Sequence, residues 1–482
     1  MMYRILEHIT DQWLSVIIFA LYVVVIVTCV IVVLRENRNP IRSLAWVIAL
    51  IFLPVVGFIF YMFFGRSLKG MHLTSIHNRR KLMSEAAKRR ADLDELDLTA
   101  VERSLVMLSQ SLCGSNLTVN NSYRIFTTGA EKFRALIDDL RNAKSSILLQ
   151  YYIFADDNIG NEIADILIEK AQAGLKVFVI YDHVGSFTSS SNFFRRMMKA
   201  GVEIHPFFRV TFPQLANRIN WRNHRKIVVI DNRVGYVGGM NIADRYARSE
   251  KEGLAWRDTH FRLEGDIVES LAFCFSVDWH FLRDKPDSLP LEIPKTDIRN
   301  KVGMQFVVSG PINYWDNLTL TYLKVIGSAS KRIFIQTPYF LPTDSLMHAL
   351  EVAALSKVDV RIMLPGDSDS KMLQYATFSY LTRCLKAGIK VYIYQPGMLH
   401  SKMMVVDDSL ATVGSTNFDF RSFENNFECS LFVYDQGFNA ECREIFFKDL
   451  AECRKITLKQ WKKRPLVSRV MESILRLVSP IL

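Results

Sequence analysis

His224-Arg225-Lys226-Ile227-Val228-Val229-Ile230-Asp231 and His400-Ser401-Lys402-Met403-Met404-Val405-Val406-Asp407 are one pattern written twice. Each reads His-x-Lys, four apolar residues, then Asp. After six more residues come Gly238-Gly239-Met240-Asn241 and Gly414-Ser415-Thr416-Asn417, so each histidine precedes its asparagine by seventeen positions. A polar constellation repeated around two apolar strands predicts one site assembled from two halves.

The repeat extends outward from these motifs. Ala143 to Phe154 aligns with Ala329 to Phe340, each a short apolar run entered from a helical pattern, with Gln150 and Gln336 in register. The spacing then predicts a helix over 161–173 closed by Gly174 and a strand over 177–181; the counterparts are 345–356 and 358–364. Lys199-Ala200-Gly201 matches Lys386-Ala387-Gly388. Helices alternating with buried strands imply an α/β fold with a largely parallel sheet in each half. The halves differ before the histidines, where the first carries an insertion with Phe207, Phe208, Arg209, Phe212, Arg218, Trp221 and Arg222. It suits either lipid contact at a membrane interface or an ordinary loop with buried rings. Pro286, Pro290 and Pro294 mark a linker over 284–301.

The 482 residues carry a formal net charge of +11, which implies an anionic partner such as nucleic acid, anionic lipid or a phosphate substrate. Seven scattered cysteines show no zinc spacing and no disulfide framework, so no metal site is expected.

Trp13 to Leu34 and Leu44 to Phe64 are uncharged, the second interrupted by Pro54 and Gly57. Each exceeds the roughly 20 residues that cross a hydrocarbon core as a helix. The connection Arg35–Ser43 is too short for a domain, which predicts a membrane-embedded helical hairpin. Arg66, Lys69, Arg79, Arg80 and Lys81 follow it and place the bulk of the chain on the cytoplasmic side. At the other end, 466–478 repeats apolar residues at helical spacing behind Trp461-Lys462-Lys463-Arg464, fitting an interfacial helix or one packed on the domain.

On a strand, His224 and Lys226 project to the same face, as do His400 and Lys402. Burying such groups is unfavourable unless they meet an anion or a hydrogen-bond partner. A phosphodiester satisfies that demand. Lys226, Lys402, Asn241 and Asn417 would hold its oxygens, one imidazole would attack phosphorus, and the other would carry the proton. No metal and no other cofactor is required. Asp231 and Asp407, counted with the four reactive side chains in the candidate catalytic set, fall outside the His/Lys alternation and are read as fixing turns.

On these residues the chain resembles the phospholipase D superfamily, whose mark is two copies of His-x-Lys-x4-Asp-x6-Gly-Ser-x2-Asn. Ser415 matches the motif serine, whereas the first copy carries Gly239 there. The resemblance covers about 118–450 and implies two similar α/β/α halves forming one pseudo-symmetric catalytic unit. It implies that Ser415 joins the phosphate-binding set and that an acid downstream of each motif orients a histidine. Glu428 fits that position, with Asp258 as its counterpart. The hairpin, Leu53-Pro54-Val55-Val56-Gly57 and Gly65-Arg66 make the chain most similar to the bacterial cardiolipin synthase family. That likeness implies transfer of a phosphatidyl group between two phosphatidylglycerols through a phosphatidyl-histidine, in a bacterial plasma membrane. Family precedent makes His224 the nucleophile and His400 the acid and base; the near-symmetric motifs do not separate the roles.

The organisation expected is a transmembrane hairpin over 1–65, a basic helical connector over 66–117 and a first phospholipase D-like half over 118–284. A second half over 302–450 and an amphipathic C-terminal segment over 451–482 complete it. The partners expected are phosphatidylglycerol and anionic membrane lipids, with no nucleic acid and with the oligomeric state open. Competing readings are a hydrolytic membrane phospholipase D, another phosphatidyltransferase, a nucleic-acid phosphodiesterase, and a non-enzymatic scaffold that binds anionic lipid.

Overall fold

The apolar runs of the two motifs, Ile227–Ile230 and Met403–Val406, become the central strands of two mixed sheets. The computed structural model describes residues 2–35, 40–65, 94, 96–210, 220–247, 256–283, 289 and 297–477. In the first sheet, β1 (Asn121–Phe126), β2 (Ser146–Tyr151), β3 (Lys176–Asp182), β4 (Glu203–Phe207), β5 (Ile227–Ile230), β6 (Val234–Gly238) and β7 (His260–Gly265) lie in the order β1-β7-β6-β5-β2-β3-β4. The second half contributes β8 (Gly303–Ser309), β9 (Arg332–Gln336), a short β10 (Phe340–Leu341), β11 (Asp359–Pro365), β12 (Lys390–Tyr394) and β13 (Met403–Val406). It continues with β14 (Leu410–Gly414), a short β15 (Phe418–Asp419), β16 (Glu428–Tyr434) and β17 (Cys453–Ile456). Read from β8, the second sheet runs β8-β16-β14-β13-β9-β11-β12-β17, the first sheet's order with one added edge strand.

The strand directions match as well. Within these two sheets the parallel pairings are those of β2-β3-β4 and β9-β11-β12; the pairings from β2 to β1 and from β9 to β8 are antiparallel. The expectation of largely parallel sheets is therefore corrected to mixed sheets. The cause is local: Asp231 and Asn232 take φ of 53° and 51°, and Asp407 takes 48°, turning each motif strand into a hairpin. Asp and Asn tolerate that left-handed backbone better than most residues, and they favour turns.

The helices predicted from spacing form over Asn158–Gln172 and Asp344–Leu355. Asp157 caps the first of these by accepting from the Gly160 amide at 3.1 Å. One apolar core lies between the first sheet and helices Gly129–Arg141, Asn158–Gln172 and Ser191–Lys199, with Leu136, Ile163 and Met197 at its centre. A second core, around Leu350, Ile362 and Leu381, fills the other half. The last helix of the second half reaches across, its Phe438 lying 4.8 Å from Tyr123 and 5.4 Å from Phe261 of the first sheet.

The chain divides into two compact units, Met1–Leu68 with Val210–Asn220, and the remainder. In the first unit, Met2–Arg35 is one helix, but the second apolar run is not. It breaks at Leu53 into Pro40–Phe52 and Pro54–Phe60, ending in a π-helical turn Tyr61–Gly65. Pro54 ends the first segment because proline disfavours helix in the residue before it. Gly57 makes the close return feasible, since a Cβ there would stand 2.6 Å from the Ala49 carbonyl oxygen. Among the described residues no helix is long and apolar enough to cross a membrane; in the first helix the side chains are described continuously only over 13–28. Most of those side chains are exposed, Trp13, Ile17, Phe19 and Leu21 among them.

The connector expected over 66–117 lies outside the described residues up to 93; its far end is the helix Ala100–Cys113, opened by a Thr99–Glu102 capping box. Most of the 284–301 linker, the residues 36–39 between the apolar runs and 478–482 at the C-terminus also lie outside them. Phe207, Phe208 and Trp221 of the insertion are buried, and both phenylalanines pack against Phe427 of the second half. Of the two readings of that insertion, these rings follow the buried one; Phe212 and Arg218 are outside the described residues.

Candidate active site

His224 and Lys226 do not sit in the ladder of β5, which begins at Ile227. The segment before the strand instead exchanges backbone hydrogen bonds with the other half. The His224 amide donates to the Phe427 carbonyl at 2.9 Å, and the Phe427 amide donates to Arg222 at 2.8 Å. The mirror exchange joins 398–400 to the first half: Arg257 donates to Met398 at 2.9 Å, and His400 donates to Arg257 at 2.7 Å. Each histidine segment thus runs beside the segment that carries the opposite half's acid.

The side chains follow that exchange. His224 Nδ1 lies 2.9 Å from Glu428 Oε1, and His400 Nδ1 lies 2.7 Å from Asp258 Oδ2. The register makes the two acids equivalent despite their unequal distances from the motifs. Gly238 pairs with His260 and Gly414 with Ser430, so each acid stands two residues before the partner of the motif's first glycine. The first half is longer between its motif asparagine and its acid, 17 positions from Asn241 to Asp258 against 11 from Asn417 to Glu428.

Burial pushes the His224 imidazole down to about 4, with Glu428 opposing. Burial, then Lys402 and Lys226, holds His400 well below its ordinary range. Burial raises the Asp258 carboxyl to about 6 against the pull of Lys402. For Glu428 burial also pushes upward, but His224, Lys226 and the Ser415 hydroxyl outweigh it and the net direction is down. At neutral pH these directions describe two neutral imidazoles facing two carboxylates. Each Nδ1–H then donates to its acid and each Nε2 keeps its lone pair. His224 also bears on His400, so the two rings share one electrostatic site.

Lys226 is fully buried and donates to the His224 carbonyl at 2.6 Å, with the Tyr152 ring 5.5 Å from its ammonium. Lys402 donates to the His400 carbonyl at 2.5 Å and lies 2.8 Å from that ring's Nδ1. Burial lowers Lys226 to about 7 and Lys402 to about 8. Two buried ammonium groups beside two neutral imidazoles form a receptor for an anion.

Asn241 donates its amide to Tyr246 Oη at 2.8 Å and accepts from the Ile153 amide at 3.2 Å. Asn417 is buried, and among the described residues its side-chain oxygen has no hydrogen-bond partner. Ser415, predicted to face phosphate, instead donates to Glu428 Oε2 and so braces the acid behind His224. Gly239 explains the departure in the first copy. A Cβ there would stand 2.2 Å from Asp258 Oδ1, so the acid occupies the space a side chain would need.

Asp231 and Asp407 point away from the reacting groups. Asp231 accepts from the backbone amides of Lys144, Ser145 and Ser146 at 2.7–2.9 Å, and Asp407 accepts from Ser330, Lys331 and Arg332 at 2.8–2.9 Å. Each clamps the start of β2 or β9 to the motif hairpin, at the far end of the strand from its histidine.

Other residues of the site escaped the sequence reading. Arg225, the unspecified middle residue of the first motif, is buried with its Nη1 donating to both Asp278 carboxylate oxygens at 2.6–2.7 Å, and it donates to the Ser309 carbonyl. Arg257 pairs with Asp449 at 2.7 Å, tying the halves together. Asp182 accepts from the Asn223 amide at 2.9 Å and pairs with Arg222, fixing the approach to His224. Tyr152 packs edge-on to His224, while Tyr246 and Trp256 flank His400. A carboxylate on the last helix of each half, the same type at matching places, was the signal available for Asp278 and Asp449.

The model of the family described as "Cardiolipin synthase, PLD-like domain" matches residues 136–279 and 322–450. A second, described as "Phospholipase_D-nuclease N-terminal", matches 16–66. The chain is 39% identical over 489 residues to a protein of Bacillus subtilis (strain 168) named "Major cardiolipin synthase ClsA", covering 97% of this chain and 99% of that one. It is 40% identical to "Cardiolipin synthase 2" of Bacillus anthracis, over 94% of this chain and 89% of that one. Among solved structures, phosphatidylserine synthase from Haemophilus influenzae Rd KW20 superposes with a TM-score of 0.62 at 15% identity. It covers 80% of this chain and 100% of its own, a likeness of fold.

Proposed function

The chain belongs to the cardiolipin synthase family with phospholipase D-like domains, and from that membership we propose that it transfers a phosphatidyl group from one phosphatidylglycerol to another. The products are cardiolipin and glycerol. What supports this reading is the crossed pairing of each imidazole with the acid of the other half, beside two buried lysines.

In the first step His224 Nε2 attacks phosphorus, and the bond from phosphorus to the glycerol oxygen breaks. His400, protonated in this step, gives its proton to that departing oxygen. A bound phosphodiester anion raises the affinity of the imidazole for that proton, offsetting the effect of burial. In the second step His400 takes the proton from a hydroxyl of the second phosphatidylglycerol. The new oxygen attacks phosphorus, the P–N bond breaks, and His224 is restored. Lys226 and Lys402, with the side-chain amides of Asn241 and Asn417, neutralise charge as the pentacoordinate state develops. Ser415 acts through Glu428. Asp231 and Asp407 hold the scaffold.

We assign the two apolar runs to a hairpin in the bacterial plasma membrane, with the catalytic halves on the cytoplasmic side. Their lack of charge, the match of 16–66 to an N-terminal family model, and the basic residues that follow Phe64 support it. Tyr314 and Trp315 stand exposed on the loop after β8, whose last residue Ser309 pairs with Glu428. Aromatic side chains there suit contact at headgroup level.

Purified protein in phosphatidylglycerol vesicles tests the proposal. Cardiolipin and glycerol in equal amounts are expected, with H224A and H400A folded but inactive. Phosphatidic acid as the main product would replace this reading with a hydrolytic one.

A further inference from the structure

The helix Leu466–Leu477 is turned inside out. Glu472 faces the domain, buried and paired with Arg464, and Leu475 is the apolar side chain buried beside it. The rest of the apolar stripe points outward: Leu466, Val467 and Leu477 are 71%, 75% and 78% exposed, and Val470, Met471 and Ile474 are exposed between them. A surface helix of a globular domain buries the opposite face. The stripe is framed by exposed Lys459, Lys462, Lys463, Arg469 and Arg476, while Glu452 is the one exposed acid in 452–477.

We propose that this helix docks its outward stripe into an anionic lipid bilayer, lying along the surface. The charge of its frame selects that occupant: basic residues around an apolar stripe fit a layer of hydrocarbon beneath negative headgroups. The docking rests on the phosphatidyltransferase reading only in that both place the chain at a bilayer. Trp461 anchors the stripe's N-terminal end to the domain, buried against Phe378 with the Arg464 guanidinium 3.4 Å over its ring. The helix is therefore held in place with its apolar side free to engage lipid.

The test places a benzophenone-bearing residue at Val470 of the full chain, reconstituted in vesicles containing radiolabelled phosphatidylglycerol, and irradiates it. A covalent lipid adduct about tenfold above that from the same probe at exposed Glu169 is expected. V467E with I474E should reduce the adduct to the Glu169 level without moving the melting midpoint, since both residues are exposed. Two outcomes overturn the proposal: cross-linked pairs of chains, which assign the stripe to a second copy, or no adduct above the Glu169 level. The readout does not depend on turnover, so an inactive protein that still forms the adduct would sink the transferase reading alone.

Discussion

Glu428 Oε1 stands 2.9 Å from His224 Nδ1 although the residues belong to different halves of the chain and lie 204 positions apart. Asp258 serves His400 in the same way from the other direction. The carboxylates fix which imidazole nitrogen carries the proton, so E428Q and D258N should each lower kcat by roughly 10²–10⁴-fold. Cardiolipin formation on phosphatidylglycerol vesicles measures the loss, and an unchanged circular dichroism spectrum separates it from unfolding. Near-normal turnover in either variant would remove the acids from the mechanism.

Gly239 is the place where making the first copy look like the second should do harm. A Cβ at that position meets Asp258 Oδ1 at 2.2 Å, so G239S should push the acid off His400. Activity should fall as far as in D258N. The reverse change, S415G, removes one hydrogen bond from Glu428 and should cost only about tenfold.

Asp231 holds backbone amides, so D231A should act on stability. Burial pushes its carboxyl up, but the amides of Ser146, Lys144 and Ser145 outweigh that and leave it below the ordinary 3.8. A loss of about 1–3 kcal/mol is expected, discounted for partial exposure, and visible in urea denaturation. The sign follows from the depressed value: the contribution is intact above the unfolded pKa and fades as pH falls through the folded one. The folded fraction of D231A should keep most of its turnover.

The pH dependence of kcat/KM should report the free site. His224 must be neutral to attack, so activity rises as its proton leaves near pH 4. His400 must be protonated to serve the departing oxygen, and Lys226 and Lys402 must be charged to hold a phosphodiester. Activity therefore falls first as the free His400 loses its proton below its ordinary range, and further as the lysines deprotonate, about 7 and about 8. Bound lipid phosphate favours the charged lysines, so at saturating substrate the alkaline limb should move to higher pH. An alkaline limb at the same pH under both conditions would show that neither His400 nor these lysines meets the phosphate.

The histidines, lysines and their spacing were legible because a repeated pattern is improbable without a shared purpose. Pairing across the halves was not, since nothing local to His224 states which sheet supplies its acid. The mixed sheet was missed because strand-helix alternation was weighed above Asp231-Asn232, a pair suited to the left-handed backbone of a hairpin turn. The role of Arg225 was not legible because its partner, Asp278, lies 53 residues away on a helix whose packing only the fold defines. Ser415 was placed one layer too far forward, because spacing fixes a residue's strand position and not the atom its hydroxyl finds.

The exchange of backbone and acid between the sheets makes this polypeptide a heterodimer that happens to share a peptide bond. Cut within 284–301, the two fragments should each be inert, and mixing should restore turnover if they refold together. It also couples the two copies of the motif: loss of the carboxylate of one half should silence the imidazole of the other. Selection therefore sees a single indivisible unit where the gene spells two.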